Sequence, residues 1–213
     1  MTTVHWEEPA QVAVAETDGH GDTCGEIAML DDLVLRFPGK YQPTQAQVDA
    51  MRTECIQWHE HSGGMTLYSI GQAMELHFGV KPVKVVPYNA ALDFQLFRHD
   101  LINALLAHQP CIMQTSLGYK LPNNQPGVLQ HFIYIGGIDS LLGYRVSNGD
   151  TLAALAHSGY VAPSWVGVNF LQASAPDAYL ILPALPAQAP AVNYQEKFNT
   201  LVSGLESLVK ANA

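Results

Sequence analysis

Cys24 stands where a thiol can do chemistry. It follows the turn-rich stretch Asp18-Gly19-His20-Gly21-Asp22-Thr23 and opens a run in which Ile27, Met29, Leu30, Leu33, Val34 and Phe37 recur at helical spacing until Pro38-Gly39 stop it. The N-terminus of a helix carries partial positive charge and N–H groups with no intrahelical partner. Both favour thiolate over thiol, and the N–H groups can hold an oxyanion formed on a carbonyl beside the sulfur. The plainer role for Cys24 is that of a small buried hydrophobe.

A suitable base lies far along the chain. His131 begins His131-Phe132-Ile133-Tyr134-Ile135-Gly136-Gly137, an apolar strand whose start presents an imidazole near a sheet edge. Tyr144-Arg145-Val146-Ser147-Asn148 reads as its hairpin partner after a turn over 139–142. The end of that partner brings Asn148 toward His131, where a side-chain carbonyl would fix the ring tautomer and leave the other nitrogen for the thiol. Asp150 rivals Asn148, because a shift of two residues along a strand keeps the same face. The plainer roles are a core histidine satisfied by backbone and an ordinary turn asparagine. His59, His61 and Cys55 have spacings that permit two metal ligands on a helix face. No third and fourth ligand stand at a matching distance, so no metal is expected, and no cofactor either.

These residues need elements to position them. Beyond the first apolar helix, Thr44 reads as the N-cap of a second helix to about His61, and residues 66–78 as a third helix closed by Gly79. A short strand is expected at 83–87 and a fourth helix over 94–108. Strands follow at 111–116, 130–136, 143–147 and 179–182. Tyr68, Phe78, Phe94 and Phe97 fall at helical spacing and are expected in the core. Helices first and strands second imply an α+β domain over residues 1–183, with a helical N-terminal half packed on a C-terminal antiparallel sheet. Residues 184–193 form a Pro/Ala linker. Residues 194–213 form an amphipathic helix with Phe198, Leu201, Val202, Leu205, Leu208 and Val209 on one side, suited to packing on the domain or to self-association.

Composition removes several classes of function. Ten Lys and Arg against 19 Asp and Glu give a net charge of −9, and no basic run occurs, which argues against a nucleic-acid partner. No apolar stretch reaches the roughly 18 residues of a membrane span, and MTTVHWEEPA has no signal-peptide character. A cytoplasmic or phage- or toxin-associated origin is expected. Three scattered cysteines do not make a disulfide framework. There is no G-x-x-x-x-G-K-[ST], G-x-G-x-x-G or G-x-S-x-G, so nucleotide and α/β-hydrolase chemistry have no support.

Thr23-Cys24-Gly25-Glu26-Ile27-Ala28-Met29, then His131 to Gly137, then Asn148 one hairpin later resemble the papain-like cysteine peptidases. The bacteriocin-leader (double-glycine) peptidase branch is the closest in pattern. The resemblance spans about residues 10–183 and implies a papain-like fold with a buried nucleophile helix. It also implies a thiol hydrolase cleaving a peptide, peptidoglycan-like or isopeptide bond, with Cys24 as nucleophile, His131 as general base and acid, and Asn148 (or Asp150) as the orienting group. The family places a Gln before the Cys as oxyanion donor. The loop at 18–23 has none, which leaves His20 or the Cys24 N–H for that role; Gln11 lies further off. Glu26 replaces the Pro or small residue usual after Cys-Gly and sets a negative charge near the thiolate. A noncatalytic module that binds peptide or mediates assembly therefore stands as the alternative, and transglutaminase-like transfer to an amine as a third reading.

Overall fold

The computed structural model describes residues 23–58, 65–120, 126–147 and 164–186. Three helices come first: α1 (Cys24–Arg36), α2 (Gln45–Cys55), which runs on into a 3-10 turn at Ile56–Trp58, and α3 (Leu67–Phe78). Next come β1 (Lys84–Val86) and α4 (Phe94–Leu106). The second half is β2 (Cys111–Lys120), β3 (Pro126–Asp139), β4 (Gly143–Ser147), β5 (Ser164–Val166), a short α5 (Val168–Ala173) and β6 (Pro176–Ile181). The chain is thus α+β.

The helix starts follow from local chemistry. The Thr44 hydroxyl accepts from the Gln47 N–H, that of Thr66 from Ser69, and the Asp93 carboxylate from Gln95 and Leu96. Each satisfies donors that the first helical turn leaves unpaired. Gly79 closes α3 in the left-handed region at φ 70°, a conformation that costs glycine least.

All six strands join one antiparallel sheet in the order β1-β6-β2-β3-β4-β5. The last strand therefore enters the middle of the sheet. Its register with β2 pairs Cys111 with Ile181 and Thr115 with Pro176, while β2 and β3 pair Cys111 with Ile135 and Thr115 with His131. Cys111, Ile135 and Ile181 lie level at one end of the β2–β6 ladder and Thr115, His131 and Pro176 level at its other end, beyond which β2 and β3 run on together to Lys120 and Pro126.

Both faces are covered. Phe97 of α4 packs edge-on against Tyr179 at 5.0 Å, so α4 lies on the side that carries Tyr179, Met113 and Ile133. On α3, a Cβ built at Gly71 would lie 3.8 Å from Leu180, which puts α3 on the opposite side. Alongside α3, α1 brings Gly25 against Ile70 and also packs along β3.

The sequence and structure differ in instructive places. Regular α2 ends at Cys55, and His59 and His61 lie outside the described residues. β3 is longer than its apolar core suggested, because pairing with β2 extends it back to Pro126 and pairing with β4 carries it on to Asp139. Neither β5 nor α5 was expected: three residues and six residues are too short for hydrophobic periodicity to register. Tyr68 is not core. It is 63% exposed on the outer side of α3, while Phe78 and Phe97 are buried and Phe94 packs partly against the core. Among the described residues no helix is long and apolar enough to cross a membrane.

Candidate functional site

Cys24 is the first residue of α1, as its position after the turn implied, and it is half-buried. Nearly everything behind it is sealed. Ala28, Met29 and Leu33 have no exposed surface, and neither have the charged residues Glu26 and Asp32. The latter is held by Arg36, whose Nε and Nη2 donate to the Asp32 carboxylate at 2.7 and 3.0 Å. Burial is the main influence on the Asp32 carboxyl and pushes its pKa up against the opposing pull of Arg36.

Arg36 also fixes which way α1 points. Its Nη2 donates to the Pro183 carbonyl at 2.8 Å and its Nη1 to that of Ala184 at 3.0 Å, just beyond the end of β6. The C-terminus of α1 is therefore tied to the Cys111–Ile135–Ile181 end of the sheet. The helix is about 18 Å long between its first and last Cα atoms at 1.5 Å per residue. Packed against β3, it carries Cys24 away from that end of the sheet, whereas His131 pairs with Thr115 in the middle of β3.

His131 is half-buried within β3, directly opposite the fully buried Thr115. What links Cys24 to His131 is β3, against which α1 packs. Alternation along β3 gives His131 the Met113 side, whereas α1 neighbours α3, which sits on the Leu180 side. β4 does lie beside β3, and its last residue, Ser147, pairs with Tyr134. The candidate third members Asn148 and Asp150 lie outside the described residues, as do His20 and Gln11.

Two buried hydroxyls beside these residues were not legible beforehand. Thr23 precedes Cys24 and Thr115 opposes His131; each buries a hydroxyl with no hydrogen-bond partner among the described residues. A buried hydroxyl left unsatisfied costs about 1–3 kcal/mol, so such groups belong to polar rather than purely packed surroundings. A threonine gives no sign of this in a sequence, because only its neighbours decide whether its hydroxyl is satisfied.

The other two cysteines contrast with Cys24. Cys55 and Cys111 are buried, and none of the three is disulfide-linked. Burial, helped by the charges of Glu26 and Glu54, pushes the Cys55 thiol up to about 12. Burial also pushes Cys111 far above an ordinary thiol, with Asp100 adding to the effect. Both stay protonated at neutral pH, in keeping with their expected packing role. Glu26 itself is enclosed in the first turn of α1, within the electrostatic range of Cys55.

A cavity of about 550 Å³ lies elsewhere, between α4 and the β3–β4 turn. It is lined by Arg98, Ile102, Leu106, Ile138, Leu142 and Val168 among others, at the Asp139 end of β3. Among the described residues no three His, Cys, Asp or Glu side chains cluster as metal ligands would. No family model matches the chain, and no curated protein matches it.

Proposed function

We propose that the protein is a thiol-dependent hydrolase of papain-like type, with Cys24 as nucleophile and His131 as its acid–base partner. The carrying observation is that α1, with Cys24 as its first residue, packs against β3, the strand that bears His131. It is supported by the exposure of Cys24 relative to two sealed thiols. Proton transfer requires the Cys24 sulfur and the His131 imidazole to come within hydrogen-bond reach.

In this mechanism the Cys24 proton passes to His131, and the thiolate attacks the carbonyl carbon of a peptide or isopeptide bond. The negative charge that develops on the carbonyl oxygen is opposed by the α1 dipole and its first N–H groups. His131 then protonates the departing amine as the C–N bond breaks, leaving a thioester. Water, deprotonated by the same imidazole, cleaves the thioester and restores the thiol. Asn148, or Asp150 in its place, orients the ring. The bond class is set by this chemistry: any amide carbonyl that reaches the thiolate qualifies, whether in a peptide or a peptidoglycan-like substrate.

Competition among the three cysteines tests the proposal. Iodoacetamide at neutral pH should modify Cys24 well before Cys55 and Cys111, and His131→Ala should slow that modification. Equal and sluggish labelling of all three, or indifference to His131→Ala, would overturn it.

A second reading rests on Glu26. Its enclosed side chain sits in the first turn of α1, two residues after Cys24, where a negative charge disfavours a thiolate. On this reading the same scaffold binds a peptide without cleaving it. Glu26→Gln would then speed the labelling of Cys24 over the parent, whereas a Cys24 already activated by His131 gains little from that substitution.

A further inference from the structure

Along α4, Arg98, Ile102 and Leu106 recur every four residues and form one stripe facing the β3–β4 turn. With Ile138, Leu142 and Val168 they line the 550 Å³ cavity described above. The rim is unusually apolar: Leu106, Leu141 and Leu142 are 49%, 93% and 55% exposed. Contiguous aliphatic surface of this kind marks a docking site. One polar group within the lining is also unsatisfied, since the Nε of Arg98 is buried and has no hydrogen-bond partner among the described residues.

We propose that this groove is the docking site of the chain's own residues 194–213. Three observations bear on that occupant. The first is position: the Leu185 N–H donates to the His108 carbonyl at 2.9 Å, so the chain passes the C-terminal end of α4, two residues beyond Leu106. The second is reach. Residues 187–193 lie outside the described residues, and seven residues span at most about 23 Å when extended, enough to bring residue 194 back over α4.

The third is chemical fit. Phe198, Leu201, Val202, Leu205, Leu208 and Val209 follow the spacing of one helical face and match the aliphatic lining. Glu206 falls on the margin of that stripe and offers an acceptor of the kind Arg98 lacks. The proposal is independent of the hydrolase reading, because the groove lies at the β3–β4 turn and His131 in the middle of β3.

The experiment is site-specific photocrosslinking in the full chain, with p-benzoylphenylalanine incorporated in place of the exposed Leu142. Irradiation should give an adduct within residues 194–213, in a species with the mass of one chain. Introducing Leu205→Asp and Leu208→Asp together should lower its yield about tenfold or more, the factor expected when a docking equilibrium loses at least 1.4 kcal/mol. Circular dichroism and the melting transition of the remaining domain should persist in that variant. Adducts elsewhere in the chain, no adduct, or a yield indifferent to the aspartates would overturn the proposal. So would a tail adduct confined to species of two chains, which would assign the groove to a second copy.

Discussion

Two regions of the molecule are built on opposite principles. At the start of α1 and in the middle of β2, polar side chains are enclosed: Thr23, Glu26 and Thr115 sit in or beside apolar packing. Around the β3–β4 turn, leucines lie exposed over an aliphatic cavity. Enclosing polar groups costs stability unless each is paired, so proteins retain them where their chemistry is used. Exposing leucines wastes burial, so contiguous ones point to a surface that something covers. One strand, β3, thus connects a region suited to reaction with a region suited to docking.

The sharpest way to break this contrast is through the ion pair that anchors α1. Arg36→Met leaves Asp32 enclosed without its cation and should destabilise the fold by about 3–5 kcal/mol, the usual effect of breaking a buried pair. Changing both residues, Asp32→Leu with Arg36→Met, should restore much of that loss. The single variant also has a pH signature. Burial already raises the Asp32 pKa above its ordinary value of 3.8, and loss of Arg36 raises it further. The folded state then binds a proton more tightly than the unfolded chain. The destabilisation should therefore shrink as pH falls toward 4 and grow as pH rises through the folded-state pKa. Urea titrations at several pH values measure it, and an effect independent of pH would contradict the burial of a lone carboxylate.

A smaller but cleaner comparison uses two leucines. Leu33 is fully enclosed in α1, and Leu33→Ala should cost about 2–5 kcal/mol. Leu76→Ala, on the exposed face of α3, should stay within about 0.5 kcal/mol of the parent. Equal effects in thermal melts would mean that this face is as tightly packed as α1.

The smallest effect concerns Asp100 on α4. Burial opposes its ionisation, but hydrogen bonds from Lys84 and the Tyr179 hydroxyl together outweigh burial and hold its pKa below the usual carboxylate range. A depressed folded pKa adds stability above the unfolded value near 3.8, and that stability is lost as pH falls through the folded value. Asp100→Asn should accordingly weaken the fold at neutral pH, by about 1 kcal/mol given the partial exposure of Lys84. It should also flatten the acid limb of the stability profile, so an unchanged limb would remove Asp100 from the account.

Much of the helical framework could be read from residue order. Thr44, Thr66 and Asp93 announce helix starts because an N-cap acts on its own next few N–H groups, and Gly79 announces an end for an equally local reason. The run of apolar residues at helical spacing in α1 was legible too. Its buried Asp32–Arg36 pair was visible only as an i,i+4 spacing; its enclosure depends on the carbonyls of Pro183 and Ala184, nearly 150 residues away. Gly143 is similar. A turn glycine is a local guess, but its φ of 96° and the Val166 carbonyl 2.3 Å from where a Cβ would sit arise from pairing with β5.

By itself, then, the sequence determined the α+β class, the helix boundaries set by caps, the placement of Cys24 at a helix start and that of His131 in a strand. Those features depend on periodicities and hydrogen bonds spanning a few residues. Only the tertiary structure decided that β6 inserts between β1 and β2, that Arg36 ties the C-terminus of α1 to the chain just past β6, and that an aliphatic groove opens at the β3–β4 turn. These depend on contacts between residues distant in the chain, whose partners no local spacing can name.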